Sequence, residues 1–223
     1  MTPKLFLQVI SKFLLGIILV GLLIFLPAGT LRYPNGLLLM SILFVPMFLV
    51  GVVLMFKNPS LLHSRLEAKE TQKEQNLVIK LSGLIFVVGF IIAGLDFRFQ
   101  WLPLPRGVAF GAAGVFMIAY LLYGEVLREN AYLSRTIEVQ EGQQVVDSGL
   151  YGLVRHPMYS VTILLFLSMP LVLGSVYAFI PFAFYPFLII QRIKHEERFL
   201  EQELPDYTQY KQKVKYRLIP FIW

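Results

Sequence analysis

No cysteine occurs anywhere in the 223 residues, which excludes a disulfide framework, a thiolate nucleophile and a zinc-thiolate site. Histidine is nearly as scarce: His63, His156 and His195 lie scattered along the chain, so no metal centre is expected. Charge is sparse too, with 15% of residues charged against 57% hydrophobic. Together with a mean hydropathy of +0.66, this is the composition of a polytopic membrane protein, and it leaves no room for a soluble domain of ordinary size. The sequence lacks an internal repeat, which argues against a transporter built from two similar halves. Its net charge of +6 is spread over polar connectors and does not form a basic block interleaved with aromatics, so nucleic acid is not an expected partner. The first apolar segment has no small-residue cleavage site after it and reads as a retained helix.

Four apolar stretches are long enough for a hydrocarbon core that needs ~20 helical residues. They are Leu5 to Leu26, Leu37 to Phe56 with Pro46 inside it, Leu77 to Leu95, and Gly107 to Tyr123. The polar connector from Lys57 to Asn76 opens with Asn58-Pro59-Ser60, a capping residue before a proline suited to a first helical turn. It alternates charge through Arg65, Glu67, Lys69, Glu70, Lys73 and Glu74, as a solvated helical face does. Gly107, Gly111 and Gly114 share a face at small-residue spacing, which predicts a close-packed neighbouring helix or a dimer seam. The fourth helix can run on through Glu125 and Arg128 to Asn130. Beyond it, Thr136 to Val146 around Glu141-Gly142 reads as a small hairpin.

The most informative stretch is Ser148-Gly-Leu-Tyr-Gly-Leu-Val-Arg-His-Pro-Met-Tyr159, polar and aromatic, set directly before a long apolar run. Arginine and histidine are costly to desolvate at a membrane mouth, so they mark a functional-site hypothesis. Arg155 alone would read as an interfacial anchor. A second charged cluster, Arg192 to Glu197, changes that reading. No charged residue separates the clusters from Pro157 to Gln191, and one straight helix of that length would be about 50 Å long against a core of about 30 Å. The run must therefore fold back, with Pro170, Gly174 and Pro181 supplying the break, and the two clusters return to one membrane face. Counting crossings puts the connectors richest in lysine and arginine on the same side, assigned to the cytoplasm together with both termini. The charged helix after Arg192 should run through Glu203, break at Pro205 and resume near Tyr207. The basic and aromatic end, Tyr216 to Trp223, should lie back on the interface.

Ser-Gly-Leu-Tyr, Arg155-His156-Pro157-Met158-Tyr159, an apolar hairpin, Glu196-Glu197, Tyr207, Tyr210 and Ile219-Pro220, in that order, resemble the isoprenylcysteine carboxyl methyltransferase family from about Ser134 onward. The resemblance implies S-adenosyl-L-methionine as methyl donor and a lipophilic acceptor entering from the bilayer. Composition and the apolar stretches predict a single all-α integral membrane domain, residues 1–223, of about six membrane segments. The last two would form a helical hairpin, and residues 125–223 would hold the cofactor under a C-terminal helical cap. Cofactor contacts carried over by position are Gln140, Gln144, Val145, Val146, Tyr151, His156, Pro157, Met158, Tyr159 and Glu196. Arg192 falls where the family places an acceptor-contacting arginine, on the helical face of Glu196, with Glu197 beside it. Arg192, Tyr159 and Arg155 are the residues assigned to catalysis. A carboxylate acceptor needs no base; an amine or thiol would, with His156 or Glu197 available. Phospholipid N-methylation stays open, as do an NADPH-dependent sterol-type reduction and a non-enzymatic scaffold. So does the choice between a monomer and a weak dimer.

Overall fold

The computed structural model describes residues 3–66, 73–134 and 139–223. Glu67, Lys69 and Glu70 of the alternating-charge connector, and Thr136 to Glu138 of the expected hairpin, lie outside them. The chain forms α1 (Pro3–Ala28), α2 (Pro34–Lys57), α3 (Pro59–Leu66), α4 (Lys73–Phe99) and α5 (Arg106–Glu129). After a 3-10 turn (Gly149–Gly152) come α6 (Pro157–Val172), α7 (Val176–Phe182), α8 (Tyr185–Glu203) and α9 (Tyr207–Lys213). The described residues contain no strand. Around Glu141-Gly142 the chain makes a turn without strand pairing, so the described half of the expected hairpin is irregular. An all-helical solution follows from the solvent: lipid offers no hydrogen bonds, and a helix satisfies its backbone within itself.

Five segments are long and apolar enough to cross a membrane: those in α1, α2, α4 and α5, and the run Val176–Glu203. The 16-residue α6 is shorter, at about 24 Å. Their outer faces carry large apolar side chains in the open, among them Leu19, Leu26, Phe56, Phe110 and Leu121. Such a surface suits acyl chains and would aggregate in water.

The fold-back after α6 is made at Leu173-Gly174-Ser175. Gly174 has φ +78°, a conformation that L side chains rarely adopt, and a Cβ there would meet Asn35 Nδ2 at 2.6 Å. Ser175 Oγ accepts the Ala178 N–H at 3.1 Å, capping α7, and donates to Asp96 Oδ2 at 2.5 Å. Tyr33 OH donates to Leu173 O at 2.5 Å, so α2 and α4 hold the turn from both sides. Pro170 and Pro181, expected as breakers, instead sit within the last turns of α6 and α7.

Helix α5 packs most extensively on α6, and its buried face carries Ala109, Ala112, Ala113, Phe116 and Ala119. The expected glycine seam is not where helices meet: nothing lies within 4 Å of a Cβ at Gly107, Gly111 or Gly114. Alanine allows nearly as close an approach while burying a methyl group. The close approaches occur on α4, where a Cβ on Gly94 would stand 2.5 Å from Ile24 O and one on Gly89 would stand 2.4 Å from the Phe182 ring. Gly94→Ala is therefore expected to destabilise the protein by about 1–3 kcal/mol. Gly111→Ala should stay within about 0.5 kcal/mol of wild type; thermal unfolding in detergent compares the two.

Candidate active site

The block before α6 is built by local rules. Gly149 has φ +56°, which turns the chain so that the Leu150 N–H donates to both carboxylate oxygens of Glu129, at 3.1 and 2.9 Å. This ties the block to the end of α5. Pro157 opens α6, where its missing N–H costs nothing. Just before it, the Arg155 N–H donates to Tyr216 O at 2.8 Å and the His156 N–H to Arg217 O at 2.9 Å. The chain end thus lies along the block.

Both charged clusters meet at Glu197. Arg155 Nε donates to Glu197 Oε1 at 2.7 Å, and one terminal nitrogen of the same guanidinium donates to Val214 O and Lys215 O at 2.7 and 2.9 Å. Arg217 Nε donates to Glu197 Oε2 at 2.9 Å, and His156 Nε2 lies 3.3 Å from Oε1. Glu197 is 3% exposed. Two cations and a histidine around one buried carboxylate join the block, α8 and the tail. The tail read as interfacial divides accordingly: Leu218 is buried, whereas Phe221 and Ile222 are exposed. The expected break before the cap is present, since α8 ends at Glu203 and α9 begins at Tyr207.

Beside this cluster lies a cavity of about 500 Å³, within the usual range for small-molecule sites. Two helical stripes run along it, Met158, Tyr159, Thr162 and Phe166 from α6, and Tyr185, Ile189, Arg192, Glu196 and Leu200 from α8, continued by Leu204 just past its end. Each is spaced by three or four residues where it continues, so one face of each helix is turned inward. Both stripes are polar toward the block and apolar toward the hairpin turn, apart from Leu200 and Leu204 under the cap. Arg192 stands at the boundary. Its Nε donates to Tyr159 OH at 2.8 Å, and Tyr159 OH in turn donates to Glu196 Oε2. His156 Nδ1 lies 4.0 Å from Glu196 Oε1, and its ring stacks on Tyr159 with centroids 5.7 Å apart.

The cap closes the polar end. Tyr210 OH donates to Tyr151 O at 2.7 Å, and Lys213 Nζ donates to Asp147 at 2.6 Å. That lysine holds the exposed Asp147 carboxyl below its ordinary pKa. Burial, and then the charges of Glu197 and Glu196, push the Tyr207 phenol well up; burial does the same to Tyr210. Both phenols stay protonated as hydrogen-bond donors.

Of the residues singled out by sequence, Gln144, Val145, Val146, Tyr151, Arg155, His156, Met158, Tyr159, Arg192 and Glu196 line this one cavity. Gln140, Pro157 and Glu197 do not. Gln140 donates its amide to Tyr132 O at 2.9 Å and accordingly fixes a loop. Glu197, assigned to the acceptor, is held by Arg155, Arg217 and His156 and faces inward. Arg155, assigned to catalysis, lines the cavity while its Nε and one terminal nitrogen are committed to that carboxylate and to backbone carbonyls. Sequence reasoning missed the α4 wall: Val78, Ile79, Ser82, Gly83 and Phe86. The pair Ser82-Gly83, small and polar within an apolar run, was the available signal. It also gave Arg217 no partner, and Tyr207 and Tyr210 no contact.

A bundle of membrane-length helices, closed at one end by a polar cluster and a cavity, defines a multi-pass all-α membrane protein. Residues 112–202 match the isoprenylcysteine carboxyl methyltransferase (ICMT) family. Over that stretch the chain is similar to the family. The match begins within α5, earlier than the resemblance from Ser134, and stops at the end of α8, before the cap and tail. None of the curated proteins matches the chain.

Proposed function

We propose that the protein transfers the methyl group of S-adenosylmethionine to the carboxylate of a lipophilic, isoprenylcysteine-like acceptor at the cytoplasmic membrane face. The observation that carries this reading is the position of Arg192 and Glu196, on one face of α8, where a single cavity passes from polar to apolar walls. The polar half suits an S-adenosyl ligand. It offers a carboxylate for an ammonium or ribose hydroxyls, imidazole and amide groups from His156 and Gln144, and a buried Tyr207 hydroxyl that no protein group satisfies. When bound, the cofactor supplies an electrophilic methyl group on a sulfonium.

The chain's own residues do the rest. Tyr159 holds Nε of Arg192, fixing the guanidinium plane so that it can orient an acceptor carboxylate at the polar boundary. That carboxylate is ionised at neutral pH and needs no base. Phe166, Tyr185 and Ile189 give the acceptor's tail an apolar wall and keep water from the reacting atoms. Ile79, also on the wall, is 40% exposed, which supports lateral entry between α4 and α8. Alignment in such a site lowers a barrier by about 7–11 kcal/mol. The cytoplasmic assignment rests on the lysines and arginines of the connectors and cap.

Calorimetric titration of detergent-purified protein with S-adenosylhomocysteine tests the reading. Micromolar binding is expected in wild type, and Glu196→Gln should weaken it about tenfold or more, the value of a hydrogen bond to a charged group. Folded wild type that binds no S-adenosylhomocysteine but binds NADPH would overturn the proposal. Base-labile label transferred to isoprenoid or fatty acids, rather than to phospholipid amines, would identify the acceptor as a carboxylate.

A further inference from the structure

Tyr207 opens α9, is 4% exposed and is among the residues lining the cavity. The backbone N–H is satisfied by Leu204 O at 3.0 Å. The ring packs in an apolar cluster with Leu204, Tyr210 and Val214, against Val139, Val145 and Leu200. Its hydroxyl has no hydrogen-bond partner. Other buried tyrosines here behave differently: Tyr33 OH donates to Leu173 O at 2.5 Å and Tyr210 OH to Tyr151 O at 2.7 Å. Among the described residues, Tyr207 has the only buried tyrosine hydroxyl without a partner.

An unsatisfied buried hydroxyl costs stability, and phenylalanine would fill the same apolar cluster without that cost. The oxygen is therefore not explained by folding. The place of Tyr207 in the cavity lining supplies the missing partner: a ligand atom. Burial, and after it the charges of Glu197 and Glu196, keep the phenol protonated, so it acts as a donor, and the ligand must offer an acceptor close to the cationic or hydroxyl group that Glu196 attracts. A zwitterionic nucleoside has both kinds of group.

We propose that the Tyr207 hydroxyl donates a hydrogen bond directly to the S-adenosyl ligand, which makes α9 part of the binding site as well as its cover; the assignment rests on the methyltransferase reading above. Tyr207→Phe removes one oxygen and leaves the ring. Two readings on the same purified variant decide the matter: S-adenosylhomocysteine affinity by calorimetry, and ligand-free melting temperature. The expected result is roughly three- to tenfold weaker binding with a melting temperature equal to or above wild type. Tyr210→Phe provides the contrast. Its hydroxyl is satisfied within the protein, so its ligand-free melting temperature should fall. If wild type binds S-adenosylhomocysteine and Tyr207→Phe binds it equally well, this inference alone is overturned. If Tyr207→Phe lowers the ligand-free melting temperature, the hydroxyl is structural and the inference fails. If wild type does not bind, the inference and the methyltransferase reading fall together.

Discussion

Glu197→Ala is expected to destabilise the protein by about 3–5 kcal/mol and to abolish S-adenosylhomocysteine binding, although Glu197 does not line the cavity. Removing this carboxylate leaves Arg155, itself 6% exposed, as a buried cation without its counter-charge, and truncating one partner of a buried pair costs about that much. Arg217 and His156 lose the same anchor. Denaturation in detergent with and without ligand measures both effects. The double variant Arg155→Met, Glu197→Met should recover part of the stability, because a well-packed apolar pair can replace a buried ion pair at little cost. If Glu197→Ala melted within a degree or two of wild type, the cluster would not be what binds α8 and the tail to the block.

Arg192→Ala is expected to act on the other half of the cavity. Acceptor kcat/KM should fall by about 10²–10³, the range found when one preorganised donor to a reacting oxyanion is removed. S-adenosylhomocysteine affinity should change less than about threefold. Arg192→Lys should recover only part of the loss, since an ammonium offers no planar fork. Steady-state kinetics with an isoprenoid carboxylate, alongside calorimetry, separates the two effects. An equal loss in both measurements would move Arg192 to the cofactor and leave the acceptor carboxylate without its proposed partner.

Much of this fold was legible because lipid makes its demands in the sequence. Stretches near twenty apolar residues long, interrupted by Pro34-Asn35-Gly36 or Lys57-Asn58-Pro59, leave few alternatives. The absence of charge from Pro157 to Gln191 required a fold-back, and so brought Arg155 and Glu197 together across 42 residues of sequence. What stayed hidden depended on rotation about helix axes. Gly107, Gly111 and Gly114 promised a seam by spacing alone, yet the adjacent alanine face was used, while the isolated Gly94 carries the tight crossing with α1. The α4 wall was hidden for the same reason, since Val78, Ile79 and Phe86 are indistinguishable by type from lipid-facing neighbours. Within the site, sequence found the cluster but not the division of labour. Arg155 and Glu197 look as reactive as Arg192 and Glu196, and only burial and partner geometry separate the ion pair that joins the block, α8 and the tail from the pair linked through Tyr159 along the cavity.

The tail lying along Arg155 and His156 also sets an order of assembly. Arg155 is translated 59 residues before Val214, whose carbonyl it binds, and the intervening helices must be threaded into the bilayer first. Until Val214 to Leu218 leave the ribosome, the guanidinium and the His156 N–H have no backbone acceptors, and the cap has nothing to close on. Closing contacts so far apart in sequence is slow. A nascent chain that has not yet reached Val214 would be integrated and helical while Arg155 and His156 still lack these partners, which delays closure of the site until Val214 to Leu218 have been made.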